Sequence, residues 1–279
     1  MVLSIGVIGN GVIGREVVNS VSNGDVSGAT ITGIYDRNPN DLRLDVDSGV
    51  LQINNTDEIV CDDPFELIER CDIVVECASH SAVKEYAVPF LENGVDFLSL
   101  SVGALSDQSL HSSIIEAAKN NGSTFEVPSG ALAGVDAIKA STVNSELDEV
   151  IFTTIKPPSG LKGATHIENS DIDLDEIEKK VIVFEGTARE AAPAFPANIN
   201  VSVALSLAGI GLEDTIVKIY ADPDETDNVH IIQAKGGAGD MELKFETKPH
   251  PDNAKTSYVA ALSTIASLKR RTDSVIVGT

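Results

Sequence analysis

The run Ser4-Ile5-Gly6-Val7-Ile8 reads as a short, mostly apolar β-strand, and it passes directly into Gly9-Asn10-Gly11-Val12-Ile13-Gly14. Few local patterns constrain a fold as strongly. A strand that ends in this glycine spacing and opens a helix is the dinucleotide-binding turn of a βαβ unit. Gly9 permits the tight turn, Gly11 lets the backbone approach a pyrophosphate, and Gly14 lets the helix pack on the strand. The first N–H groups of that helix, around Val12 and Ile13, then face an anion with the positive end of the helix dipole. The plain structural alternative is a tight βα turn that holds no ligand. The next segment weighs against it. Thr30-Ile31-Thr32-Gly33-Ile34-Tyr35-Asp36 reads as a second strand closed by an acid, and Asp36 lies 22 residues beyond Gly14. An acid there accepts hydrogen bonds from the adenosine ribose, which favours NAD. Arg37 follows and can hold a 2′-phosphate, so the expected cofactor is NAD or NADP.

The same alternation continues along the first half. Asp72 to Ala78 is a nearly continuous apolar strand, of the kind buried on both faces in a parallel sheet. Ser81 to Glu92 suits a helix, Asp96 to Ser101 a strand, Leu105 to Asn120 a helix and Thr124 to Pro128 a strand, with a short helix at Phe65 to Glu69. Repeated βα units imply a Rossmann-type parallel sheet with ligands at the carboxyl ends of its strands. Ala78 and Ser79 sit at such an end and are expected to line the cofactor crevice.

From about Leu147 the pattern changes. Val150 to Ile155, Val181 to Phe184, Thr215 to Ala221, Val229 to Ala234 and Met241 to Glu246 read as strands, and Ile199 to Ile210 as a helix. Grouped strands and helices predict a smaller α+β domain with an open, mostly antiparallel sheet. The expected division is a dinucleotide-binding domain over 1–140 and a substrate and oligomerisation domain over 141–251. A last helix over Lys255 to Arg271, within 252–279, is expected to pack back on the first domain.

The net charge of −23 comes from 43 acidic and 20 basic residues, and it argues against nucleic-acid and anionic-membrane partners. No apolar run is long enough to cross a bilayer, and the basic start of a signal peptide is missing, so the expectation is a soluble cytoplasmic protein. Cys61, Cys71 and Cys77 lack a CxxC spacing and suggest no disulfide framework. The five histidines are scattered, so no metal is expected. Cys77, in a buried strand without a histidine partner, is a poor nucleophile.

Among groups that could handle a proton, His230 stands out, at the start of a strand after the acidic turn Asp222 to Asn228. Asp222 or Asp227 is placed to orient its ring; an ordinary half-buried strand histidine is the duller reading. His250, between two prolines, reads as a surface turn residue, and His80 as a helix-start residue. Lys156 and Arg189 are candidate binders of a substrate carboxylate. For Arg189 a surface ion pair with Glu185 or Glu190 is the competing reading, and Thr187 beside it suits a helix cap. Asn198 and Asn200 stand at a helix start, where one is expected to cap the helix and the other is a candidate amide donor to cofactor or substrate.

Together these segments resemble the L-aspartate dehydrogenase family over nearly the whole chain. The resemblance rests on the glycine turn, Val75-Glu76-Cys77-Ala78-Ser79, Pro128-Ser129-Gly130-Ala131 with Gly134-Val135-Asp136-Ala137, Ile155-Lys156-Pro157-Pro158, Phe184-Glu185-Gly186-Thr187-Ala188, Phe195 to Val201, Ala221-Asp222-Pro223 with Asn228-Val229-His230, and Asn253 to Ser257. It implies NAD(P)-dependent oxidation of L-aspartate to iminoaspartate, which hydrolyses to oxaloacetate and ammonia or feeds quinolinate and NAD biosynthesis. It also implies that His230 is catalytic and that Ala131 and Asn198 or Asn200 contact the cofactor. The acidic stretch Ser170 to Glu178 departs from the family's compact members. A homodimer through the second sheet is expected. The competing functions are a related amino-acid-pathway reductase, of homoserine or dihydrodipicolinate type, and a non-catalytic NAD(P) sensor.

Overall fold

The computed structural model describes residues 2–53, 59–196 and 199–278. The chain divides into two compact units, Met1–Gly130 with Ala260–Ile276, and Ala131–Val259 with Val277–Thr279.

The first unit is a five-stranded parallel sheet in the order β2-β1-β3-β4-β5. Its strands are β1 (Leu3–Ile8), β2 (Ala29–Tyr35), β3 (Ile73–Glu76), β4 (Asp96–Ser99) and β5 (Phe125–Glu126). Helices α1 (Val12–Ser22), α2 (Pro39–Asp47), α3 (His80–Glu92) and α4 (Gln108–Asn121) connect them. Every residue of β3 is buried, as its unbroken apolar run requires for a central parallel strand. Helix α1 presents Val17, Val18 and Val21 to Ile5, Val7, Ile73, Val75 and Leu98, which form one apolar cluster. Glycine is needed where the 3₁₀ turn Pro64–Glu69 lies on the sheet, because a Cβ on Gly33 would stand 2.4 Å from a Leu67 methyl. The segment read as one helix from Leu105 is split. A 3₁₀ turn over Val102–Ser106 precedes α4, and Asp107 caps α4 by accepting from the N–H groups of Ser109 and Leu110.

The last helix, α8 (Tyr258–Thr272), contributes Ile265 and Leu268 to the same apolar cluster. Its Arg271 donates to Glu126 from Nε and Nη2 at 3.1 and 2.6 Å and to Asp96 from Nη1 at 2.5 Å. This helix begins later than its sequence suggests. Residues from Asn253 to Ser257 form a strand, β12, which pairs with the two-residue β11 (Pro249–His250). His250 is consequently not a surface turn residue. It is 3 % exposed, its ring lies edge-on to Tyr258 at 5.1 Å, and its Nδ1 accepts the Asp252 N–H.

The second unit holds a five-stranded sheet in the order β10-β9-β6-β8-β7. The strands are β6 (Leu147–Lys156), β7 (Val181–Thr187), β8 (Ile216–Ala221), β9 (Asn228–Gly236) and β10 (Met241–Thr247). Only β6 and β8 run parallel; the other neighbours are antiparallel. Helices α5 (Val135–Ser141), α6 (Ala188–Ala194) and α7 (Ile199–Ala208), with a four-residue helical turn over Thr165–Glu168, lie in the unit. Alternation along β6 buries Val150, Phe152 and Thr154 on one face, and Val150 approaches Gly209 just beyond α7. The acidic stretch is a capped 3₁₀ turn, Leu174–Glu176, tied by an Asp175–Lys162 ion pair at 2.7 Å. No helix among the described residues is long and apolar enough to cross a membrane.

Candidate active site

In the first unit the glycine turn is built as its sequence demands. Gly9 has φ +105°, a conformation that side chains other than glycine resist, and a Cβ on Gly14 would lie 2.0 Å from the Gly9 carbonyl oxygen. Gly11 differs. It has ordinary extended backbone, φ −72° and ψ −179°, and the position of a Cβ there is open space. No side chain caps α1 and no acid lies in its first turn, so the N–H groups around Val12 and Ile13 stay directed outward beside that space. The turn is tied to its surroundings. Asp36 accepts the Asn10 N–H at 2.8 Å and the Asn38 N–H at 2.9 Å, while Asp45 accepts from Asn10 Nδ2 at 2.6 Å and Arg15 Nη2 at 2.5 Å.

A crevice of about 320 Å³ opens along these elements, lined by Gly9, Gly11, Asp36, Arg37, Ala78 and Ser79. That size is at the lower end for small-molecule sites, roughly 300–1,000 Å³, and suits part of a dinucleotide. The expected cofactor residues of this unit are therefore gathered in one place, with Val12 and Ile13 in the helix turn beside them. Sequence reading missed the opposite wall, where Ser81, Glu85 and Tyr86 come from α3 and Tyr35 from the end of β2. The Tyr35 and Tyr86 rings meet edge-on at 6.3 Å, and burial pushes the Tyr86 phenol up to about 12. The helical spacing of Ala82, Glu85 and Tyr86 was the available signal. The crevice fits a dinucleotide: open space over Gly11, uncapped N–H groups beside it, and an acid at the end of β2. Cys77 lies just past β3, at the crevice, rather than within the strand, and burial holds its thiol well above its ordinary range.

In the second unit the sheet register assembles a separate set of groups. His230 of β9 lies directly opposite Thr154 of β6 on one side and Phe245 of β10 on the other. Its ring packs at 5.4 Å from that of Phe152. His230 is 7 % exposed and Thr154 4 % exposed, yet His230 Nδ1 and Thr154 Oγ1 have no hydrogen-bond partner among the described residues. Buried polar atoms are rarely left so, because each unsatisfied group costs about 1–3 kcal/mol. Burial, and then the ammonium of Lys156 two residues along β6 from Thr154, hold His230 far below its ordinary range, so the imidazole is neutral at neutral pH. Burial also lowers Lys156 to about 8. Neither expected aspartate orients the ring. Asp227 pairs with Lys248, and the Asp222 carboxylate accepts the Asp224 N–H, because both belong to the turn preceding β9.

Arg189 donates from Nε to Glu213 at 2.8 Å, and not to Glu185 or Glu190. Glu185 is taken by Lys218 at 2.9 Å, and Glu190 forms a capping box with Thr187 at the start of α6. Ala131 is buried in the turn after Gly130, and Asn200 is the second residue of α7. Asn198 lies outside the described residues.

A glycine-turn crevice at the carboxyl edge of a parallel sheet, with a second unit carrying a buried histidine on an open sheet, defines a protein of the Rossmann dinucleotide-binding class. Comparison with known proteins narrows this. Residues 9–128 match the homoserine dehydrogenase NAD-binding domain model, and residues 136–271 match the aspartate dehydrogenase C-terminal model. The chain is 40 % identical over 277 residues to an L-aspartate dehydrogenase of Methanosarcina barkeri, covering 99 % of this chain and 100 % of that one. It is also 40 % identical to one of Nitrosopumilus maritimus, with 99 % of each chain covered. The solved aspartate dehydrogenase of Thermotoga maritima superposes with a TM-score of 0.75 at 28 % identity over 100 % of both chains. An archaeal homoserine dehydrogenase shares the fold, at TM-score 0.62 and 14 % identity. The chain belongs to the L-aspartate dehydrogenase family.

Proposed function

We propose that the protein catalyses NAD(P)-dependent oxidative deamination of L-aspartate to iminoaspartate, which is hydrolysed to oxaloacetate and ammonia or passed on toward quinolinate and NAD. The observation that carries this reading is the buried, neutral His230 with an unpartnered Nδ1, beside a half-buried lysine in a family that acts on a dicarboxylate amino acid. When bound, the nicotinamide accepts the α-hydrogen of the substrate as hydride.

The chain's own residues do the rest. Lys156, cationic at neutral pH, attracts a substrate carboxylate in surroundings dry enough to strengthen the interaction. Arg189 is the second candidate for a carboxylate, in competition with Glu213. His230 accepts the proton that the substrate amine must lose as the C=N bond forms, or later takes one from the water that attacks the imine. A bound dianion stabilises the imidazolium and so raises the basicity that burial and Lys156 suppress. Gly9, Gly11, Val12 and Ile13 hold the pyrophosphate; Asp36, with Arg37 beside it, takes the adenosine ribose; Ala78 and Ser79 line the path between. Ala131 and Asn200 complete the proposed cofactor contacts. In this reading 1–140 with the last helix serves the cofactor, and 141–251 serves substrate and assembly.

The test is NADH or NADPH formation with L-aspartate. Cofactor-dependent turnover is expected; a folded protein that binds cofactor without oxidising L-aspartate sinks the reading. A homoserine-oxidising activity in the same panel would point to the related reductase instead. We further propose a cytoplasmic homodimer through the sheet face that carries the half-buried Ile151, Thr153, Tyr220 and Ile231. A monomeric mass by light scattering would refute the dimer.

A further inference from the structure

Glu76, the last residue of β3, is fully buried and is surrounded by donors. Its Oε1 accepts the Ala78 N–H at 2.8 Å, the Ser79 N–H at 2.8 Å and the Ser101 hydroxyl at 2.9 Å. Its Oε2 accepts the Ser99 hydroxyl at 2.7 Å and the Ser101 N–H at 3.2 Å. These partners belong to the turn after β3, to the last residue of β4 and to the turn that follows it. Burying a carboxylate is costly, and leucine or valine would fill a central strand position without that cost. The sheet itself therefore does not need this residue.

The turn that Glu76 holds is part of the crevice. Cys77, Ala78, Ser79 and Ser81 all line it, and Ser79 caps α3 by accepting the Ala82 N–H. The same turn is the surface on which the glycine loop rests. A Cβ on Gly9 would stand 3.0 Å from the Ala78 nitrogen and from the Cys77 carbonyl carbon and oxygen. A rotation of the Cys77–Ala78 peptide would press directly on Gly9.

We propose that Glu76 is the positioning residue of the cofactor site, fixing the Cys77–Ser79 turn against the glycine loop and the end of β4 so that the crevice is preformed for the dinucleotide. The proposal rests on the cofactor reading given above. Glutamine cannot replace the carboxylate. With either orientation of the amide, its NH₂ faces a backbone N–H: Ala78 and Ser79 on one side, Ser101 on the other. Serine hydroxyls can turn to accept, but backbone N–H groups cannot. Aspartate would be a methylene too short to reach both turns.

The test is calorimetric titration of the folded protein with NADH, which needs no substrate, alongside its melting temperature. Glu76→Gln is expected to weaken NADH binding more than about tenfold, as for loss of one charge-assisted hydrogen bond. A smaller loss overturns the proposal. A purely structural role would lower the melting temperature and leave the affinity of the folded protein intact. If Glu76→Gln does not fold, Ser101→Ala decides, with support from a loss above about threefold and refutation from anything less. Wild-type protein that binds neither NADH nor NADPH would overturn the cofactor reading and this proposal with it. NADH binding without L-aspartate turnover would overturn the substrate reading alone.

Discussion

Gly11→Ala should weaken cofactor binding while changing stability little, a pairing that follows from the space above Gly11. The residue has φ −72° and ψ −179°, a backbone that alanine adopts without strain, and no heavy atom lies within 4 Å of the new methyl. The folded state therefore meets no clash and the unfolded chain loses freedom, but Gly11 is the N-cap of α1, where alanine is a poorer cap than glycine. The entropic gain of about 0.4–1 kcal/mol and the capping loss of similar size offset each other, so the melting temperature should stay within roughly 4 °C of wild type. The open volume matters only to a ligand. A methyl there displaces the pyrophosphate from the N–H groups of the α1 N-terminus. Loss of one such charge-assisted hydrogen bond costs about 1.5–3 kcal/mol, a roughly 10- to 150-fold rise in the NADH Kd. Thermal unfolding and calorimetric titration of one preparation measure both. Unchanged NADH affinity would show that the phosphates do not pass over Gly11. A melting temperature lowered by more than that would show that the turn itself needs the glycine.

The neighbouring Gly14→Ala should do the opposite to stability, because its Cβ would lie 2.0 Å from the Gly9 carbonyl oxygen. A loss of about 1–3 kcal/mol and weaker NADH binding are expected, and an unchanged melting temperature would refute the packing argument. His230→Ala should lower kcat with L-aspartate by about 10²–10⁴-fold and leave NADH affinity unchanged; turnover near wild type would remove His230 from proton transfer. Lys156 is lowered to about 8 by burial, so it is cationic below that pH and loses its charge above it. Binding of succinate, which carries no titrating amine, should weaken by up to about tenfold per pH unit above about 8, whereas Lys156→Arg should keep its affinity. A flat wild-type profile through that range would mean that Lys156 does not hold the carboxylate.

Much of this molecule is local and could be read from the chain. The glycine turn, the acid closing β2 and the apolar run of β3 each carry their meaning within a few residues, because turn geometry, helix dipoles and parallel-sheet burial act at short range. Residue type and position drew out His230 and Lys156, and family resemblance then made His230 the catalytic candidate. Their surroundings were not legible. Strand order places β6 between β8 and β9, so Thr154 meets His230 across a ladder that no spacing announces. The expected helpers Asp222 and Asp227 looked close in sequence but are engaged in the turn before the strand. His250 likewise looked exposed between two prolines, until β12 folded against it. Glu76 read as one polar residue in a buried strand, and its five donors come from the carboxyl ends of two different strands.

By itself, then, the sequence determined that a dinucleotide-type turn opens a parallel sheet and which histidine to watch. The tertiary structure decided which groups that histidine faces, which atoms are left unpaired and which carboxylate holds the crevice in shape. The division has a physical cause. Backbone propensity and periodicity are properties of neighbours along the chain, whereas burial and hydrogen-bond satisfaction are properties of neighbours in space.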